Sequence, residues 1–282
     1  MINLEAYTDF AGVYDIFMDN TPYQEWADFL TELIKKYGIS GQGKKTDFQE
    51  NSEKSQKEKI LDSEKNLVLD LGCGTGTLTE LLYQKGFDMI GVDNSEDMLN
   101  VAFAKREHSG SEILYLCQDM RELDLYSTVG TVVCVCDAVN YLLEEDEIED
   151  TFTLINNYLY PGGLFIFDFN TVYKYEQVIG DATIAENREN CSFIWENFYH
   201  EKERINEYDL TIFIKENENA LFRRFTETHF QRGYTLTEME DFVKKAGMEV
   251  VLLLDADTHK APTKESERIY VLARECMKER KQ

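Results

Sequence analysis

Leu67 to Gly76, read Leu-Val-Leu-Asp-Leu-Gly-Cys-Gly-Thr-Gly, constrains this chain more than any other stretch. Its first five residues are apolar except Asp70, the pattern of a strand buried on both faces of a parallel sheet. Glycines 72, 74 and 76 follow at once, and Leu78, Leu81 and Leu82 then recur at helical spacing up to a stop at Gly86. Strand, glycine turn and helix in that order form the ligand-binding corner of an open α/β sheet. The glycines let a ligand touch backbone without meeting a Cβ, and the helix N-terminus offers unpaired N–H groups to an anion.

Two details separate this corner from a dinucleotide site. The spacing is G-x-G-x-G, not G-x-G-x-x-G. Asp70 also precedes the glycines, where it repels a pyrophosphate and attracts an ammonium group. The methionyl end of S-adenosylmethionine carries both an amine and a carboxylate and suits that pair. Met89 to Asp93 is a second apolar run ending in an acid, whose two oxygens can accept from both hydroxyls of a ribose. The competing role for Asp93 is capping of the helix that begins near Ser95. Ile113–Cys117 reads as a third strand, followed by Gln118, Asp119 and Met120, where Asp119 can accept from an adenine amino group and Met120 or Met98 can pack on the ring. Val132–Cys136 is a fourth strand leading into Asp137, Asn140 and Tyr141. Glu144–Leu159 reads as a helix, and Pro161-Gly-Gly163 turns the chain into a fifth strand, Leu164–Phe169.

These motifs together resemble the class I S-adenosylmethionine-dependent methyltransferases of the small-molecule type. Leu-Asp-Leu-Gly-Cys-Gly-Thr-Gly is similar to that family's first motif, Gly-Val-Asp-Asn-Ser with Met98 to its second, Gln-Asp-Met to its adenine loop, and Tyr160-Pro-Gly-Gly to its late motif. Tyr7 to Asp15 resembles the N-terminal lid segment of a bacterial subgroup. The resemblance implies a Rossmann-like, doubly wound, seven-stranded and mostly parallel sheet. It also implies S-adenosylmethionine as cofactor, S-adenosylhomocysteine as product, and cofactor contacts from Tyr14, Asp70, Gly72, Cys73, Gly74, Gly76, Asp93, Asn94, Met98, Gln118, Asp119, Met120, Asp137 and Tyr141.

Composition narrows the partners. The formal net charge is −25, from 54 acids and 29 bases, so a basic face for nucleic acid or an acidic membrane is not expected. The start lacks a basic and apolar leader, and no apolar run reaches membrane-spanning length. Cys73, Cys117, Cys134, Cys136, Cys191 and Cys276 lack framework spacing, so reduced thiols, a cytoplasmic setting and no metal site are expected. Cys134 and Cys136 are expected to share one face of the fourth strand.

Along the chain, residues 1–40 read as a helical lid, with a capping box at Thr21-Pro-Tyr-Gln24 and an apolar stripe from Tyr23 to Tyr37. Residues 41–65 are polar and read as a flexible linker or frayed helix. The core spans 66–170 and 232–282. Between these, 171–231 reads as an inserted acceptor-binding subdomain of three antiparallel strands at 191–200, 204–215 and 221–231, with Trp195, Tyr199, Phe213, Phe225, His229 and Arg232 as its roof. Thr235–Ala246 is a helix, and strands follow at Glu249–Leu254 and Ile269–Arg274.

The implied chemistry is displacement of a methyl group from sulfur onto an oxygen, nitrogen or carbon nucleophile of a small molecule, which needs positioning above all. A protonated acceptor also needs a base. His229 is the candidate, against a structural cross-strand role. Tyr14 can close on the cofactor, against simple packing. His108, His200 and His259 lie in polar surroundings. An NAD(P)-dependent oxidoreductase and a cofactor-binding protein without catalysis are the alternatives.

Overall fold

In this computed structural model, residues 10–41, 56–216 and 221–278 are described. Seven strands form the main sheet: β1 (Leu67–Leu71), β2 (Asp88–Asp93), β3 (Leu114–Cys117), β4 (Val129–Cys134), β5 (Leu159–Asn170), β10 (Met248–Asp255) and β11 (Arg268–Glu275). Their order is β10-β11-β5-β4-β1-β2-β3, and β11 runs antiparallel to both its neighbours while the remaining pairs are parallel. The chain starts at β1 and steps outward in both directions, so the β1/β4 boundary is the switch point where such sheets open a crevice.

The unbroken apolar run of β1 has a simple cause. Leu67, Leu69 and Leu71 enter one core with Val132, Phe165 and Phe167, covered by α6 (Glu145–Tyr158) and α7 (Leu236–Lys245). Val68, with Val133 and Ile166, enters the other, covered by α2 (Tyr23–Tyr37), α4 (Thr77–Gln84) and α5 (Glu96–Ser109). Both faces are buried, so period-two alternation disappears.

The N-terminal segment divides. In α2, Ala27, Leu30, Leu33 and Ile34 are buried against the sheet, so this helix is part of the core layer. Helix α1 (Ala11–Phe17) lies over the crevice together with Tyr23 at the start of α2, and Tyr7 falls outside the described residues. The capping box at Thr21 does not form: Pro22 is the N-cap, and the Thr21 hydroxyl turns back to the Met18 sulfur at 3.7 Å in the tight bend after α1. The latter part of the expected linker is a helix, α3 (Gln56–Asn66), and 42–55 lies outside the described residues. Contacts with the segment that follows α2 anchor the C-terminal end of α3: the Gly41 N–H donates to Asn66 Oδ1 at 2.7 Å, and the Ser40 hydroxyl to Lys65 O at 3.1 Å.

The inserted sheet has four strands, not three, in the order β6 (Thr183–Asn187), β7 (Cys191–His200), β8 (Ile205–Glu216) and β9 (Leu221–Arg232). β6 is an exposed edge strand without alternation, so periodicity could not reveal it. Strand β4 ends at Cys134; Cys136 lies beyond it with φ of 64° and does not share its face.

One side chain stitches the insert to the core. Asn140 Nδ2 donates to Asn170 O at 2.9 Å and Arg232 O at 2.7 Å, and its Oδ1 accepts from Asn170 N–H at 2.8 Å. These are the residues where the chain leaves the core and returns to it. Asn140 is fully buried. Asn140→Ala should strand three backbone groups and lower stability by about 3 kcal/mol, read as a lower midpoint in urea or thermal unfolding. A variant as stable as the parent would contradict this junction.

Candidate functional site

The crevice at the switch point is narrow, about 40 Å³, and is lined by Asp70, Gly72, Cys73, Gly74, Thr75, Thr77 and Cys136 from the core, with Tyr14 and Tyr23 above. Gly72, Gly74 and Gly76 all adopt the left-handed conformation, which other residues adopt only with strain. A Cβ on Gly74 would meet nothing within 4 Å, so the turn faces open space, whereas one on Gly76 would strike the Tyr115 hydroxyl at 2.4 Å. The Gly74 N–H donates to Asp93 Oδ2 at 2.7 Å and the Ser95 N–H to Oδ1 at 2.9 Å, which pins the carboxylate at the end of β2. The helix cap is the Ser95 hydroxyl, which accepts from Met98 N–H, and Asp93 stands in front of it. Each Asp93 oxygen keeps a further lone pair for a ligand hydroxyl. A glycine cradle open to the crevice and two acids at its floor fit S-adenosylmethionine.

Across the switch point, Cys136 and Asp137 have φ of 64° and 53°, an uncommon pair of left-handed non-glycine residues. The buried Asp168 holds this turn, accepting from Cys136 N–H at 3.2 Å and Asp137 N–H at 2.7 Å. Arg268 stands 3.7 Å from the same carboxylate and lies over the Trp26 ring. Asp137 in turn accepts from the Gln231 amide at 2.5 Å.

Above this turn, alternate residues of β9 face inward. Gln231 meets Asp137, and His229 Nδ1 lies 3.1 Å from the Tyr141 hydroxyl, itself 2.8 Å from the Tyr208 hydroxyl. The His229 ring stacks on Tyr208 at 4.8 Å, and Trp195 packs on the far side of that ring at 4.9 Å. His229 is 2% exposed. His108, His200 and His259 are exposed.

The other expected contacts scatter. Gln118 spends both ends of its amide on the Asp124 backbone, and Asp119 is gripped by the Arg121 guanidinium, which also reaches Glu147. Met98 is buried, Met120 half-buried beside Gly72, and Asn94 exposed. Tyr141 belongs with His229 rather than with the glycine turn. Phe213 does not join the roof: β-pairing places it on the outer face, in an apolar concavity with Ile194 and Phe222. Arg232 is committed to Leu143 O and Glu145, and the Tyr199 hydroxyl lies 3.4 Å from Glu176.

Sequence reasoning missed the seat of α1. Asp15 accepts from the Thr75 hydroxyl at 2.7 Å and the Thr77 hydroxyl at 3.2 Å, and pairs with Lys105 at 2.6 Å. Thr75 and Thr77 flank Gly76, so hydroxyls within the glycine turn were the available signal. Asp168, Arg268 and Glu227 left no local signal.

Burial raises the Asp70 carboxyl to about 7; the Thr79 hydroxyl, donating at 2.6 Å, opposes the rise and nearby Asp93 adds to it. The folded chain therefore holds this proton more tightly than the unfolded one. The stability it contributes is complete below about pH 3.8 and is lost as pH rises through about 7. Asp70→Asn keeps an acceptor for Thr79 and removes the titration. In urea unfolding of the ligand-free protein, the variant should match the parent near pH 4 and exceed it by about 2–4 kcal/mol at pH 8. Parallel pH curves for the two proteins would refute a buried, proton-holding Asp70.

Comparison with known proteins agrees with this geometry. Residues 68–163 match the methyltransferase domain family. A protein of Geobacillus sp. (strain WCH70), named as a candidate methyltransferase, is 33% identical over 269 residues, covering 95% of this chain and 99% of its own. YqeM of Bacillus subtilis (strain 168), named likewise, is 32% identical over 269 residues, covering 95% and 96%. The crystal structure of an S-adenosylmethionine-dependent methyltransferase from Clostridium acetobutylicum ATCC 824 superposes with a TM-score of 0.77 at 27% identity, covering 96% of this chain and all of that one. The chain belongs to the class I S-adenosylmethionine-dependent methyltransferases.

Proposed function

We propose that this methyltransferase acts on an oxygen, nitrogen or carbon nucleophile of a small, non-anionic organic molecule, with His229 as the base. The observation that carries this reading is the cluster of buried His229 and Tyr208 with half-buried Tyr141. It hangs from the insert directly onto the turn that follows β4.

When bound, the cofactor supplies an electrophilic methyl on a sulfonium centre. Asp93 would take the ribose hydroxyls, and Asp70 and Tyr14 the methionyl end. Asn94, Met98, Gln118, Asp119 and Met120 would surround the adenine, with Cys73 and the glycines beneath. His229 Nδ1, with Tyr141 hydrogen-bonded to it, receives the proton that the acceptor loses. Aromatic rings with a few polar groups suit a small organic acceptor. Its charge class follows from the lining. Asp137 and Glu227 are carboxylates at this end of the insert, whereas Arg232 is bound to Glu145 and Arg268 faces Asp168. An anionic acceptor would meet repulsion without a counter-charge, and an amine or phenol would not.

Calorimetry tests the cofactor half. The parent should bind S-adenosylhomocysteine and not NAD, and Asp93→Ala should weaken binding by about 2–3 kcal/mol, roughly thirty- to a hundredfold. An unchanged affinity would remove Asp93 from the ribose role.

Turnover tests the acceptor half. Against a panel of amines, phenols and carboxylates, methylation should fall on the first two groups. His229→Ala should lower it by roughly 10²–10⁴-fold with cofactor affinity intact. Binding without turnover on any panel member would favour a cofactor-binding protein without catalysis. A His229 variant of normal turnover would leave positioning as the catalytic device.

A further inference from the structure

Glu227 lies two residues before His229 on the same inward face of β9, 6% exposed. A carboxylate at such depth needs strong hydrogen bonds to be tolerated. Its Oε1 accepts from the Phe10 N–H at 3.0 Å, and its Oε2 stands 3.4 Å from His229 Nε2. Phe10 is the N-cap of α1, so one carboxylate touches the segment over the crevice with one oxygen and the candidate base with the other.

The tautomer follows from the other side of the ring. If Nδ1 accepts from the Tyr141 hydroxyl, the ring proton is on Nε2, with Glu227 Oε2 3.4 Å from that nitrogen. Helix α1 is held on two sides. Asp15 reaches Thr75 and Thr77 of the core, while Val13 and Phe17 pack with Cys191, Leu210 and Ile212 of the insert. Arg188 of the insert also grips Asp19 with both terminal nitrogens, at 2.8 Å each.

We propose that Glu227 is a positioning residue that couples the seating of α1 to the readiness of His229 as a base. This rests on the base role given to His229 above. With α1 seated, the Phe10 N–H orients the carboxylate, whose charge beside Nε2 favours the proton there and leaves the Nδ1 lone pair facing Tyr141. During transfer the acceptor's proton reaches Nδ1, directly or through Tyr141. In the second route the Tyr141 hydroxyl gives its own proton to Nδ1 and takes the acceptor's. The methyl moves from sulfur to the acceptor atom, the imidazolium charge faces Glu227, and its proton passes to water after the products leave. With α1 displaced, Glu227 loses the Phe10 bond that orients its charge toward the ring, so an open site holds a poor base. A device of this kind confines proton removal to the closed, loaded state.

The groups that face His229 among the described residues are Tyr141 from the turn after β4, Tyr208 from β8 and Glu227 from β9, with α1 contributing a backbone N–H to Glu227. Histidine ¹⁵N NMR on the full-length protein reads the His229 tautomer and titration midpoint without any acceptor. The His229→Ala spectrum assigns the signal. In the parent the neutral ring should carry its proton on Nε2, and saturating S-adenosylhomocysteine should move the midpoint upward. Glu227→Gln keeps an acceptor for Phe10 but removes the charge. It should lower the midpoint by about one pH unit or more and abolish the response to S-adenosylhomocysteine.

Phe10 has φ of −66°, which proline adopts, so Phe10→Pro deletes the N–H without forcing the backbone. Phe10→Ala deletes the same ring and keeps the N–H. The proline variant should show a lower midpoint than the alanine variant, at equal affinity for S-adenosylhomocysteine. Equal midpoints in these two, or a parent midpoint indifferent to Glu227→Gln, would overturn the coupling. Normal turnover of His229→Ala would overturn the base role by a separate measurement, so the two failures are distinguishable.

Discussion

The two hydrogen bonds that Asp168 accepts from the backbone of Cys136 and Asp137 are the constraint on which the site depends. Two adjacent left-handed residues without glycine cost on the order of 1–3 kcal/mol each. Charge-assisted bonds to a buried carboxylate are of similar size, so the turn is held rather than merely tolerated. Its consequence is directional. With the turn bent this way, Asp137 meets Gln231 on β9, and the short helical turn Ala138–Tyr141 carries Asn140 to the insert junction and Tyr141 to His229. The insert is thus oriented from the middle of the main sheet.

The crevice also carries an electrostatic cost. Burial raises Asp70, Asp93 and Asp168, and among these only Asp168 has an arginine beside it. Removing carboxylates from water without paired charge destabilises the ionised form. A sulfonium and an ammonium group entering the crevice would supply that missing charge.

The insert and α1 complete the enclosure from the other side. Neither makes a core of its own beyond a small cluster of Val13, Phe17, Cys191, Leu210 and Ile212, to which both contribute. Each therefore needs the other to bury its apolar face, and both need the main sheet for position. The seat itself is polar on the core side, through Asp15, Thr75, Thr77 and Lys105, and apolar on the insert side, so α1 can leave without exposing the main cores.

Much of the architecture was written in local patterns. The doubly buried strand β1, the glycine turn after it and the acid ending β2 are short-range signals, and each lies where its pattern places it. By themselves they determine the open α/β sheet, its crevice and the class of cofactor, because backbone conformation and burial period are properties of a few neighbouring residues. Tertiary structure decided the rest. The edge strand β6 and the polar helix α3 lack periodicity, and the bond of Thr21 to Met18 outcompeted its capping box. Glu227, Asp168 and Asn140 work through partners 30 to 217 positions away, such as Asn170 N–H for Asn140 and Phe10 N–H for Glu227. A polar side chain earns its role from what it meets when buried, and that meeting exists only after the sheet, the insert and α1 have closed on one another.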